Sequence, residues 1–157
     1  MNMNNYQIRE KKYKILNPDY ESRLRTALEK QFFMKLIGFD ITVIEPGYIE
    51  GELVLEEKHN QQHDFLHGGL MASCLDIVMG FSAFTLLPLG KGVVTADMNI
   101  SFYNPGAGKK LIARGWVDKP GSRLYFCEGE IWVVAENGDT VLTNKSKSIM
   151  CVIDVPK

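Results

Sequence analysis

The stretch Gln61-Gln62-His63-Asp64-Phe65-Leu66-His67-Gly68-Gly69 leads into an apolar run that continues to Leu87. In that run, from Gly69 onwards, Asp76 is the only charged side chain. Its length is near the lower limit for a membrane span. It also carries Ser73, Gly80, Ser82 and Thr85, and strand-like segments follow it. These features predict a buried helix of a soluble domain, from Gly69 to about Leu86. Such a helix has no polar side to present to water. The rest of the chain must therefore supply a sheet that wraps it.

Downstream of the helix, Pro88, Gly90 and Gly92 break the chain. Four strand-like segments follow, Val93–Tyr103, Lys110–Asp118, Arg123–Glu136 and Asp139–Ile153. Asn104-Pro105-Gly106, Lys119-Pro120-Gly121-Ser122 and Asn137-Gly138 connect them. Asn-Gly between two alternating runs is a strong hairpin signal, and short connections require antiparallel neighbours. In the third segment Leu124, Phe126, Glu128, Glu130, Trp132 and Val134 share one face. Tyr125, Cys127, Ile131 and Val133 share the other. Neither face is cleanly polar, which predicts a strand covered on both sides.

Upstream, residues 1–16 are polar, lack a period, and read as a poorly ordered extension without a signal peptide's apolar core. Asn17-Pro18 signals a helix start, and Tyr20, Leu24, Leu28 and Phe32 form one apolar face. Gly38 is its stop, which gives an N-terminal helix over 17–37. Phe39–Ile44, the turn Glu45-Pro46-Gly47 and Tyr48–Leu55 read as a hairpin, and His59–Phe65 as a polar loop. No repeat and no second domain is visible, so 1–157 reads as one domain with its core over 39–153.

Composition narrows the function. The chain has 157 residues, 18 Lys+Arg against 19 Asp+Glu, and a formal net charge of −1. A general phosphate-backbone binder would carry a basic excess or stripe. Cys74, Cys127 and Cys151 are far apart and odd in number, which argues for free thiols in a reducing cytoplasm rather than a disulfide framework. His59, His63 and His67 recur every four residues, a spacing that suits metal ligands on a helix. No helical apolar pattern runs through them, so a metal site is not expected.

Chemistry concentrates at two points of the helix. Gly68 and Gly69 at its mouth leave backbone N–H groups pointing outwards and let a ligand approach closely, an arrangement that stabilises a carbonyl oxygen gaining negative charge. A tight loop-to-helix turn would equally call for the two glycines. Asp76 lies two turns in, on a narrow stripe of small or polar side chains with Ser73 and Gly80. A buried carboxylate costs several kcal/mol unless it is partnered or has a task. His67 fits a structural donor to the site's backbone better than a proton-transfer group.

The pattern Gln-Gln-His-x-x-x-His-Gly-Gly, with Asp nine residues after the second His, resembles the hot-dog-fold acyl-CoA thioesterases, the phenylacetate-degradation (PaaI-like) group in particular. Val94-Thr95-Ala96-Asp97-Met98-Asn99-Ile100-Ser101-Phe102, with Asn104-Pro105 after it, extends the match over roughly residues 32–153. The resemblance implies an α+β hot-dog fold, a curved antiparallel sheet around one long helix with an extra N-terminal helix. It makes Asp76 the catalytic carboxylate, as base or nucleophile, and Gly68 the glycine whose N–H polarises the thioester carbonyl. His67 would order that region, Thr95 would orient the attacking water, and Gln61 stands near where an Asn often contacts the carbonyl. Gly69, Gln62, Ser73 and Phe81 would touch the substrate, with Phe84 and Met79 beside Phe81. Asp64 stands where a Gly is usual, a departure that bears on the loop's shape. No metal or redox cofactor is required, and neither nucleic acid nor a membrane is an expected partner. Lys109, Lys110, Lys119 and Arg123 lie at turns where they could meet coenzyme phosphates.

Two other readings use the same residues. A hot-dog hydratase or dehydratase acting on 3-hydroxyacyl thioesters would use His67 and Asp76 as an acid/base pair. A non-catalytic acyl-CoA-binding regulator would add a DNA-binding segment, for which the Arg9–Lys14 cluster is weak support. Geometry favours an assembly if Gly68 and Asp76 act on one thioester. Gly68 and Asp76 are separated by eight residues of helix, roughly 12 Å. One carbonyl cannot touch both within a chain, which predicts a homodimer with shared sites, and the resemblance implies a homotetramer of such dimers.

Overall fold

The computed structural model describes residues 13–155. Two helices, α1 (Tyr20–Glu29) and α2 (Phe32–Ile37), precede a hairpin of β1 (Phe39–Glu45) and β2 (Tyr48–Val54). A 3-10 turn at Glu57–His59 and a loop lead to α3 (Gly68–Phe84). Four strands follow, β3 (Lys91–Phe102), β4 (Lys110–Lys119), β5 (Leu124–Val134) and β6 (Thr140–Asp154). They form one antiparallel sheet in the order β1-β2-β4-β5-β6-β3, with α3 against its inner face. This is the expected hot-dog arrangement, with the sheet open and β1 and β3 as its edges.

Small residues decide where α3 lies. Gly115 of β4 faces Gly129 of β5, and Gly129 faces Ser146 of β6. A Cβ on Gly115 would stand 2.5 Å from the Val78 carbonyl carbon, and one on Gly129 3.1 Å from the Leu75 and Met79 side chains. Glycine there lets the helix backbone approach the sheet closely. Met71, Cys74, Leu75, Val78, Met79, Ser82 and Ala83 are buried in that contact. The sheet does not enclose the helix completely. Ser73, Asp76 and Gly80 are only half-buried, and they form the stripe that the sheet leaves uncovered.

Three local expectations change. The N-terminal helix is two helices, because the chain breaks at Lys30-Gln31; α1 begins at Tyr20, where Asn17 forms a turn by accepting from the Asp19 N–H through Oδ1 at 3.2 Å. Phe32 therefore opens α2, exposed, instead of completing the face of Leu24 and Leu28. Second, β3 pairs with β6 and not with β4, so residues 103–109 cross between strands that are not neighbours. That crossing is anchored where Leu66 N–H donates to the Gly106 carbonyl at 2.8 Å. Third, the outer side of β5 is covered over only part of its length among the described residues. Tyr125, Cys127, Ile131 and Val133 are buried, while Leu124 and Phe126 face outwards and exposed. Its outer face also carries Glu130, enclosed by Trp132 and Arg114.

Of the expected N-terminal extension, residues 1–12 lie outside the described residues. Tyr13 belongs to the fold, with its hydroxyl donating to the Val117 carbonyl. Gly38 ends α2 at φ 78°, as a left-handed stop requires. No helix among the described residues is long and apolar enough to cross a membrane.

Candidate active site

The loop before α3 is held at several points. His67 N–H donates to the His59 carbonyl at 2.9 Å, and Gln61 N–H to the Phe65 carbonyl at 2.8 Å. His59 is buried and both its ring nitrogens are occupied. Nδ1 accepts from Glu56 N–H at 3.0 Å, and Nε2 donates to the Ile37 carbonyl at 2.9 Å. It therefore pins the loop to the end of α2 and is not available as a metal ligand. No cluster of three or more His, Cys, Asp or Glu among the described residues has metal-binding geometry. Asp64 takes φ 62°, so the loop keeps the left-handed conformation in which glycine is comfortable, and the aspartate bears the steric cost. Gln61 Oε1 accepts from His63 N–H at 2.8 Å, which turns its amide back on the loop.

His67 caps α3. Its Nδ1 accepts from Gly69 N–H at 2.9 Å, an assignment that leaves the neutral ring's proton on Nε2. Gly68 occupies the first helical position, and its N–H has no acceptor among the described residues. The expected carbonyl-polarising donor is thus open at the positive end of a 17-residue helix. Ser73 Oγ donates back to the Gly69 carbonyl at 2.9 Å, which completes the first turns.

Two turns further on, Thr95 of β3 reaches Asp76. Its Oγ1 donates to Asp76 Oδ1 at 2.5 Å and rests 3.4 Å from Met150 Sδ. A bulge between Thr95 and Asp97 shifts the strand register here and aims the threonine at the helix. One carboxylate oxygen is engaged, and Oδ2 has no hydrogen-bond partner among the described residues. Cys74 is nearby in the chain, but burial pushes its thiol up to about 12, so it is no nucleophile at neutral pH.

The expected residues therefore gather in two places. Gln61, His67, Gly68, Gly69 and Ser73 surround the helix mouth, with Gln62 exposed on the loop. Asp76 and Thr95 form the second group. Phe81 lies further along, packed edge to face on Phe84 with ring centroids 6.1 Å apart, and Met79 is fully buried. Of the turn lysines, Lys110 is paired with Glu52 at 3.0 Å, while Lys109, Lys119 and Arg123 are exposed.

Two features were not singled out from sequence. Phe102 ends β3 with its ring over Gly68, where an added Cβ would meet it at 3.4 Å. The alternation of Met98, Ile100 and Phe102 along the strand was the available signal. The other is α2, whose apolar side chains face the helix mouth across a cleft. Its sequence reads only as the tail of a longer helix, which concealed it.

A sequence model described as "Thioesterase superfamily" matches residues 63–138. Acyl-coenzyme A thioesterase 13 of Homo sapiens is 33% identical over 108 residues, covering 66% of this chain and 74% of that protein. Among solved structures, a thioesterase family protein from Silicibacter pomeroyi superposes with a TM-score of 0.84 at 26% identity, covering 87% of this chain and 99% of that one. The E. coli PaaI protein from the phenylacetic acid degradation operon gives a TM-score of 0.76 at 20% identity, over 88% of this chain and 96% of that one, a likeness of fold.

Proposed function

Because this chain belongs to the thioesterase superfamily and is a thioester hydrolase, we propose that its substrate is an acyl-coenzyme A and that its sites are built between two copies. The observation that carries this reading is the division of the machinery along α3. An open N–H at Gly68 and a carboxylate held by Thr95 lie on one helix, eight residues and roughly 12 Å apart. Attack needs the reacting atoms within about 3.5 Å.

A second copy solves the distance. β3 is a 12-residue edge strand without proline, and Val94 and Phe102 on it are about half exposed. An edge of this kind is a template for strand pairing. Within one chain, Thr95 sits on Asp76 and Phe102 sits on Gly68. Antiparallel pairing of two β3 strands about their middle, near Met98 and Asn99, brings the Thr95 end of one against the Phe102 end of the other. Asp76 of one copy then comes to Gly68 of the second, twice per dimer. Pairing of dimers into a homotetramer rests on the likeness to the family. The three free thiols suit a cytoplasmic enzyme.

In this mechanism the thioester carbonyl oxygen accepts from Gly68 N–H, where the helix end favours developing negative charge. His67 keeps that end open by capping Gly69 instead. Asp76 Oδ2 takes a proton from water as the water attacks, the C–S bond then breaks, and the departing coenzyme A thiolate takes up that proton. Alternatively, Oδ2 itself attacks the carbonyl and expels the thiolate, forming a mixed anhydride that water then cleaves to the free acid and the regenerated carboxylate. Thr95 fixes the carboxylate, and its Oγ1 lone pairs stay free to accept a hydrogen bond from the attacking water. Gly69, Gln62, Gln61 and Ser73 contact the substrate on the Gly68 side, and Phe81 on the Asp76 side. The test is thiol release from acyl-coenzyme A esters of graded size. Release by the wild type but not by Asp76→Asn supports the proposal. No release above background from any ester overturns it.

A further inference from the structure

The cleft between α2 and the first turns of α3 is open to solvent and has a volume of about 370 Å³, with Phe33, Leu36, Ile37 and Leu70 as its apolar walls. Resting on the acyl-coenzyme A reading above, we propose that this cleft receives the acyl group. It takes a hydrocarbon chain without polar substituents, and Phe33 and Leu36 set the chain-length preference.

Position supports this first. His67 and Gly69 flank Gly68 in the chain, and both line the cleft. An acyl chain leaving a carbonyl held on Gly68 N–H therefore meets the cleft at once. The state of the polar lining supports it second. His59 has both ring nitrogens occupied by backbone. Ser73 Oγ is spent on the Gly69 carbonyl, His67 Nδ1 on the Gly69 N–H, and Lys58 on Glu56 at 2.8 Å. The donors left are His67 Nε2–H, at the carbonyl end, and the remaining N–H groups of Lys58, half-exposed at the rim. A hydroxyl or carboxylate partway along the chain would lie against Phe33, Leu36, Ile37 and Leu70, with fewer partners than it has in water. Exposure supports it third. Phe33 is 50% and Leu36 73% exposed, apolar surface that α2 leaves to solvent beside an apolar hollow.

The acyl lining proposed here does not include Phe84 and Met79, which the sequence put beside Phe81 at the substrate. Met79 is core, and Phe81 and Phe84 pack on one another far from the helix mouth. The wall comes instead from a six-residue helix that ends at the left-handed Gly38.

The experiment is a ladder of straight-chain acyl-coenzyme A esters, from acetyl to decanoyl, with kcat/KM measured for wild type, Phe33→Ala, Leu36→Ala and Leu36→Ser. The wild type should gain roughly two- to fourfold per added methylene until the cleft is full. Hexanoyl should exceed the six-carbon dicarboxylic ester, adipyl, at least tenfold. The α2 variants should flatten the rise, while Leu89→Ala, an exposed leucine beyond the other end of α3, should not. A rise that is absent in the wild type, or that survives in folded Phe33 and Leu36 variants, places the acyl group elsewhere and overturns this inference while leaving the thioesterase reading intact. Absence of hydrolysis along the whole ladder overturns that reading, and this inference with it.

Discussion

Thr95 Oγ1 and Asp76 Oδ1 share a 2.5 Å hydrogen bond between an edge strand and the central helix. The contact ties the carboxylate to β3, an edge strand whose other side is unpaired among the described residues and is the proposed seam with a second copy. Asp76→Asn keeps an oxygen that can accept from Thr95, so the variant should fold with its melting temperature nearly unchanged. It loses the base, and kcat should fall by about 10³ or more. Thr95→Val removes one hydrogen bond to a charged group and should cost about ten- to a hundredfold. Equal losses in the two variants would give Thr95 a larger part than the one assigned. Near wild-type turnover in Asp76→Asn would make the aspartate structural.

Gly68 and Gly69 should separate activity from stability. A methyl on Gly68 meets Phe102 at 3.4 Å, an ordinary contact, so Gly68→Ala should change stability by less than about 0.5 kcal/mol. The methyl stands beside the open N–H, and kcat/KM should drop at least tenfold. A methyl on Gly69 meets His67 Nδ1 at 3.0 Å and pushes the cap aside. Gly69→Ala should cost about 1 kcal/mol in a denaturant melt. The reverse order of stabilities would contradict the capping role of His67.

Asp64 holds φ 62° in the loop that carries Gln61. Asp64→Gly should keep both fold and activity. Asp64→Val should lose about 1–2 kcal/mol, because a β-branched side chain tolerates that conformation poorly. Equal stability in the two variants would mean that the loop re-forms without the left-handed residue.

Alkaline stability follows from the buried thiols. Burial pushes Cys74 and Cys127 up to about 12, against an ordinary value of 9.0. Above pH 9 the unfolded chain gives up these protons while the folded chain keeps them, so stability must fall as pH rises. The contribution is complete below pH 9 and is lost progressively up to about pH 12, at about 1.4 kcal/mol per pH unit for each thiol. Tyr13, also raised to about 12, acts in the same direction. Urea melts at pH 8, 9.5 and 10.5 should show the decline, and Cys74→Ala should make it shallower. A flat profile in the wild type would contradict the burial of these groups.

The sequence made the central helix, the hairpin turns and the Gly68–Asp76 spacing legible because each follows from local rules. Gly47 and Gly138 do adopt positive φ at their turns. The position of β3 did not follow from local rules. Its seven-residue connection to β4 reads as a turn, but pairing with β6 satisfies the strand across a long separation in sequence. The break at Lys30-Gln31 was hidden because Phe32 continues a four-residue apolar spacing while being 74% exposed. At the site, the chain itself announced Asp76 and the two glycines. The Thr95 contact depends on a bulge at Thr95 and Asp97, which no residue pattern announces.

The central claim is that Gly68 of one copy and Asp76 of another serve one thioester, and complementation tests it most directly. Gly68→Val and Asp76→Asn homodimers should each be nearly inactive. Unfolded and refolded together in equal amounts, half the dimers should be mixed, each with one doubly damaged site and one intact site. The mixture should therefore recover about a quarter of wild-type activity. A refolded mixture with demonstrated subunit exchange that recovers nothing would contradict the shared site.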